Sequence, residues 1–134
     1  TDMLGGTLDI AATILGRAEL QPYHGMQGQD VIGHLNSGTQ PNRLGMVLEE
    51  DEIPFNANCD HFLRTRSFVT GDWRMTYWLE DQFGELYNRE EDPEEIYNLW
   101  DDPGTAKQKA ELMEKWLLER IALEDIAPRP IFCA

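Results

Sequence analysis

Two arginines, Arg64 and Arg66, alternate on one face of a predicted β-strand in a chain whose formal charge is −14. Each guanidinium presents a planar fork of N–H donors that matches the oxygens of carboxylate, sulfate or phosphate. In so acidic a chain the simpler expectation is that both neutralise neighbouring carboxylates. The sharper expectation is that they face a cleft and hold an anion. Other chemistry-bearing residues are dispersed. Cys59, Asp60 and His61 are consecutive, and consecutive side chains rarely converge on one ion; no second Cys/His pair stands at zinc spacing. The acidic run at 49–52 lacks the Asp-x-Asp-x-Gly alternation of a calcium loop. Ser37 and Ser67 are the only serines, and neither lies in a Gly-x-Ser-x-Gly elbow. His24 and His34 stand alone, and Gly25 and Gly28 are not followed by the Lys-Ser/Thr of a phosphate loop. The residues therefore assign no catalytic group and no metal-ligand set. Cys59 and Cys133 allow one disulfide, but Cys133 sits beside the C-terminus, so two free thiols are the expectation and the compartment stays open.

The chain that must position these groups has 134 residues, 41% of them hydrophobic, enough for one domain with a modest core. Its charge excludes nucleic acid, because neutralising phosphates requires clustered Lys and Arg. Adsorption to anionic lipid is excluded on the same ground. No apolar run approaches the ~20 residues that span a bilayer, and no signal-peptide pattern is visible. Thirteen aromatic residues spread along the chain argue against disorder.

Leu4, Leu8, Ala11 and Leu15 recur at helical spacing, with Gly16 as a stop. Gly5 and Gly6 weaken the first turn by about 1 kcal/mol each relative to Ala, so this helix needs something to pack against. Residues 17–45 read as a connector with one short helix near 29–35. Residues 46–51 suit a strand. Residues 62–70 and 73–79 form the clearest hairpin, with Gly71-Asp72 at the centre of an expected type II′ turn. A third strand is expected around 84–88. Asp92-Pro93 and Asp102-Pro103 each pair an N-cap residue with a proline. The first predicts one or two helical turns through Trp100; the second predicts a long helix over 103–123. The expected spine of that helix is Ala106, Ala110, Met113, Leu117 and Ile121, widened by Leu112, Trp116 and Leu118. Strands followed by one long helix predict an α+β domain, a small antiparallel sheet packed against the C-terminal helix.

The order of these pieces resembles the C-terminal region of sulfatases, members of the alkaline phosphatase superfamily. The segment Arg64-Thr-Arg-Ser-Phe-Val-Thr-Gly-Asp-Trp-Arg-Met-Thr-Tyr-Trp resembles the family's C-terminal hairpin. Gly84-Glu-Leu-Tyr-Asn and then Glu91-Asp-Pro-Glu-Glu-Ile-Tyr-Asn-Leu-Trp-Asp-Asp-Pro103 resemble its ending before a last helix. Upstream, Thr1-Asp-Met-Leu with Thr7-Leu-Asp-Ile-Ala resembles the helix near the end of the catalytic domain, and Gly25-Met-Gln-Gly28 the connector after it. Gly5-Gly6 departs from the family's usual Pro-Thr, which bears on where the first helix starts.

The resemblance implies three parts: 1–45 as helix and connector at the edge of a missing catalytic domain, 46–126 as an accessory α+β domain, and 127–134 as an extended tail. It implies a parent that hydrolyses sulfate monoesters with a formylglycine and a divalent cation, calcium. The formylglycine arises in a Cys/Ser-x-Pro-x-Arg motif, which neither Cys59 nor Cys133 begins. The 134 residues are thus expected to be catalytically silent alone and to wall a substrate cleft, with His61, Arg64, Arg66 and the loop at 53–61 as candidate contacts. The implied partner is the catalytic domain of the same chain, and the apolar patch left without it is expected to promote self-association. Two alternatives stand beside this: the C-terminal domain of a phosphonate monoester or phosphodiester hydrolase, and a free-standing acidic interaction domain with a basic partner. Localisation is left open between cytoplasm, periplasm and secretion.

Overall fold

The computed structural model describes residues 3–52, 62–80 and 82–124. Their order is α1 (Leu8–Arg17), α2 (Val31–Ser37), β1 (Met46–Glu52), β2 (Leu63–Val69), β3 (Trp73–Trp78), β4 (Phe83–Asn88), a 3-10 turn at Pro103–Thr105, and α3 (Ala106–Leu123). The architecture is the expected α+β. The described residues divide into two compact units, one of 3–43 with 120–124 and one of 44–119. None of the described helices is long and apolar enough to cross a membrane.

In the unit of 44–119 the four strands form an antiparallel meander in the order β1-β2-β3-β4. Alternation sets the core. Val47, Phe68, Met75 and Leu86 are partners across the four strands, so they form one row on one face. Phe68, Met75 and Leu86 are fully buried there under Leu112 of α3. Trp116 lies parallel to Phe68, with ring centroids 6.2 Å apart.

The long helix meets the sheet with an edge other than its expected spine. Leu112 and Glu119 are buried and Trp116 is half-buried, whereas Met113, Leu117 and Ile121 are about half exposed. The apolar stripe is wider than one contact face. Phe68, within that row, meets the edge of the helix that offers an aromatic ring. Glu119 is tolerated inside because its Oε2 accepts the Leu44 backbone N–H at 2.7 Å.

Two local expectations change. Gly71 does not take the positive φ that a type II′ turn requires. Thr70 closes the β2–β3 turn instead: its N–H donates to Trp73 O at 2.8 Å, and its Oγ1 accepts the Trp73 N–H at 3.0 Å. The segment after Asp92-Pro93 forms turns and no helix. There Asp92 Oδ2 accepts the Tyr97 N–H, and Asn98 spends its amide on the sheet edge. Asn98 Oδ1 accepts the N–H of Leu86, Nδ2 donates to Gly84 O, and the Leu99 N–H reaches Leu86 O at 2.8 Å. The free edge of β4 is thereby occupied, which protects it from pairing with another chain. Trp100 packs over Gly84, where any Cβ would collide with its indole.

In the other unit, α1 begins at Leu8, after Gly5 and Gly6, with no side-chain cap at Thr7. The short connector helix appears as α2, capped by Asp30, whose Oδ1 accepts the Gly33 N–H at 2.8 Å, and by Gly38 in the left-handed conformation. Gly28 lets the connector run close beside Leu8, whose carbonyl leaves no room for a side chain.

Candidate functional site

The register of β1 on β2 sets Glu49 opposite Arg66 and Asp51 opposite Arg64, two cross-strand pairs of opposite charge on the helix-covered face. Arg66 leans diagonally and grips Asp51 with both terminal nitrogens, Nη1 to Oδ1 at 2.7 Å and Nη2 to Oδ2 at 3.3 Å. Its Nη1 also donates to Thr65 O at 2.8 Å, and its Nε lies 3.6 Å from Glu49. The bond from Arg66 holds the Asp51 carboxyl below its usual range; partial burial opposes this, and the charges of Arg66 and Arg64 reinforce it. In return the bond to Asp51 raises Arg66 above its usual value, against a small opposing effect of burial.

Arg64 is in a different state. Its backbone N–H is fixed by Glu80 Oε2 at 3.0 Å, but its guanidinium touches Asp51 only through Nε at 3.7 Å. Its side chain is 45% exposed, against 30% for Arg66. Among the described residues, Arg66 is held closely by Asp51 and Thr65, whereas the Arg64 guanidinium makes one longer contact with Asp51. His61 and the rest of the candidate loop at 53–61 lie outside the described residues, as do both cysteines.

The opposite face of the sheet carries a second polar cluster. Arg74 Nη2 pairs with Glu95 at 2.6 Å and stands over the ring of Tyr87, 5.1 Å from its centroid. Arg89 reaches the same Glu95 at 3.3 Å. Burial, with the charge of Glu85, pushes the Tyr87 hydroxyl above its ordinary value. Ser67 and Thr76 are buried against each other with their hydroxyls 2.8 Å apart. Turn and sheet are joined here by mutually paired charges.

The unit containing α1 holds a polar site that sequence reasoning missed. Asp9 is 1% exposed and accepts from both terminal nitrogens of Arg43, at 3.0 and 2.6 Å, from Gly6 N at 2.8 Å and from Gln29 N at 2.9 Å. The available signal was Asp9 itself, which shares the buried side of α1 with Ala12. A lone acid on that side has to be matched by a buried partner.

Among the described residues the implied divalent cation finds no fitting set of donors. Among the described residues, no group of three or more His, Cys, Asp or Glu side chains could hold a metal ion. The sequence likewise offers no Cys/Ser-x-Pro-x-Arg motif to become formylglycine.

Comparison with known proteins extends this picture. Residues 1–122 match the family described as N-sulphoglucosamine sulphohydrolase, C-terminal. A structure from Bacteroides thetaiotaomicron assigned as a sulfatase superposes with a TM-score of 0.73 at 22% identity, over 96% of this chain and 27% of that one. A structure solved in complex with its substrate D-glucosamine-2-N,6-O-disulfate superposes with a TM-score of 0.70 at 23% identity, over 92% and 25% of the two chains. A phosphonate monoester hydrolase from Agrobacterium radiobacter superposes at 0.69 and 20% identity, over 90% and 25%. At these identities the likeness is one of fold. An uncharacterized protein of Haemophilus influenzae is 26% identical over 119 residues, and the chain spans 57% of its length.

Proposed function

The chain belongs to the N-sulphoglucosamine sulphohydrolase C-terminal family, the C-terminal region of sulfatases, and from that premise we propose that it is the accessory domain of a sulfate-ester hydrolase. The observation that carries the proposal is a fold match over 96% of this chain that accounts for 27% of a sulfatase-assigned chain. In this reading the formylglycine nucleophile and a calcium ion belong to the catalytic domain of the parent. The accessory domain walls one side of the substrate cleft. Arg64 is the group that meets the anionic substrate, Arg66 positions it through their shared partner Asp51, and His61 is a further candidate on the neighbouring loop. The 134 residues alone are catalytically silent.

A second reading has a specific footing, since the same fold occurs in a phosphonate monoester hydrolase. One experiment separates the two. The parent polypeptide, encoded by the same reading frame, is assayed with calcium on an aryl sulfate, D-glucosamine-2-N,6-O-disulfate, a phosphonate monoester and a phosphodiester. The proposal expects sulfate release to dominate and the 134-residue chain to release none. Preferential turnover of the phosphorus esters favours the second reading. Turnover by the 134 residues alone refutes the accessory role. A natural start codon near residue 1, with a first helix stable in isolation, would favour the acidic interaction domain.

A further inference from the structure

We propose that the outward face of α3 pairs with the same face of a second copy of this chain, as a short antiparallel coiled coil. The proposal rests on α3 and not on the sulfatase reading. Ala106, Ala110, Met113 and Leu117 are spaced by four, three and four residues, the a and d spacing of a coiled-coil seam. At 3.6 residues per turn they fall within an arc of about 60°, roughly 120° around the helix from the edge formed by Leu112 and Trp116. That inner edge is packed against the sheet. Ala106 and Ala110 are exposed, and Met113 and Leu117 are 49% and 60% exposed. The helix therefore carries two apolar faces, and its own sheet covers one.

Size selects the orientation. In an antiparallel pair each a residue meets a d residue of the facing helix. A two-fold axis between Glu111 and Leu112 sets Ala106 opposite the partner's Leu117 and Ala110 opposite the partner's Met113. Each of the four layers then joins one alanine to one long side chain, and all fill alike. Parallel pairing would stack alanine on alanine and leucine on leucine, leaving two layers thin.

Charge selects a second copy as the occupant. Lys107 and Glu114 flank the seam on the side away from the sheet. The same register sets Lys107 opposite the partner's Glu114 and Glu114 opposite the partner's Lys107, two ion pairs related by one axis. The Lys107 side chain is 90% exposed and touches its own Glu111 only at 3.6 Å, so it can reach across. A chain of −14 opposes association in general, but that charge does not reside on α3. There Lys107, Lys109, Lys115 and Arg120 offset Glu111, Glu114 and Glu119. The seam is about 18 Å long and makes a small interface, so the dimer forms in step with concentration.

Sedimentation equilibrium over roughly 1–100 μM tests this on the 134-residue chain and on the polypeptide encoded by its reading frame. Both should pass from monomer to dimer across that range, and Leu117→Glu should hold both as monomers. Leu117 faces solvent in the single chain, so at concentrations below dimerisation the variant should melt like wild type. Charge reversal tests the register. Lys107→Glu and Glu114→Lys each place like charges at both flanks and should weaken the dimer by about tenfold or more. Mixing the two single variants restores both pairs of opposite charge, as does combining them in one chain, and either should recover wild-type association. Three results overturn the proposal: a monomer throughout in either preparation, a dimer that Leu117→Glu leaves intact, or single reversals that the mixture does not rescue.

Discussion

Asp9 and Arg43, 34 residues apart, meet in a bidentate pair whose side chains are 2% and 8% exposed. Through this pair the turn before α1 and the end of the connector are held by one carboxylate. Gly6 and Gln29 donate their backbone N–H groups to the same two oxygens. Removing one partner of such a pair strands a buried charge, which costs far more than the pair itself contributes. Asp9→Asn should destabilise the unit containing α1 by about 3–5 kcal/mol, and Asp9→Leu with Arg43→Met by clearly less. Urea unfolding followed at α1 would measure both.

The same carboxyl sets an acid limit. Burial raises its pKa, but the hydrogen bond from Arg43, the two backbone N–H groups and the charge of Arg43 outweigh this and leave it below the ordinary 3.8. The stabilisation is therefore complete above about pH 4, and it is lost as pH falls through the lower folded-state value. Acid unfolding of wild type should steepen in that window. A curve for Asp9→Asn with the same steepness would show that other carboxylates set the limit.

The two edges of α3 should respond oppositely to truncation. Leu112 is 1% exposed under the sheet, so Leu112→Ala should cost about 2–5 kcal/mol. Leu117 is 60% exposed, so Leu117→Ala should change the stability of the 134-residue chain by no more than about 0.5 kcal/mol. Thermal melts of the two variants would reverse this order if the expected spine were the buried one.

Asn98 stands in for a fifth strand along β4. Asn98→Ala leaves Leu86 N and Gly84 O without their side-chain partners and should cost about 1–2 kcal/mol. It also uncovers the sheet edge. The variant should aggregate faster on heating than wild type at equal protein concentration, measured by light scattering.

On the proposed accessory-domain reading, Arg64 and Arg66 should separate in the parent polypeptide. Arg64→Ala should leave the melting temperature unchanged and raise KM for a sulfate ester by about tenfold or more, with kcat little affected. Arg66→Ala should lower both stability and affinity, because Arg66 holds Asp51 as well as lying beside Arg64. An unchanged KM for Arg64→Ala would remove Arg64 from the substrate cleft.

Much of this molecule was legible in local pattern. Period-two alternation located β2 and β3, a turn before Gly84 located β4, the Asp102-Pro103 pair marked the start of the last helix, and the order of short motifs pointed to the sulfatase C-terminal region. These features depend on residues within a few positions of one another, so a linear chain carries them whole. The remainder depends on partners far apart in the chain. The periodicity of α3 made it amphipathic, but only the ring of Phe68 decided that Leu112 and Trp116 would face inward. Gly71-Asp72 announced a turn, and its closure passed to the hydroxyl of Thr70. Asp92-Pro93 suggested a helix, and the backbone of β4 drew Asn98 into a loop instead. Arg64 and Arg66 looked equivalent on their strand. The cross-strand position of Asp51 held one closely and left the other half-exposed, a distinction that exists only once two strands are paired.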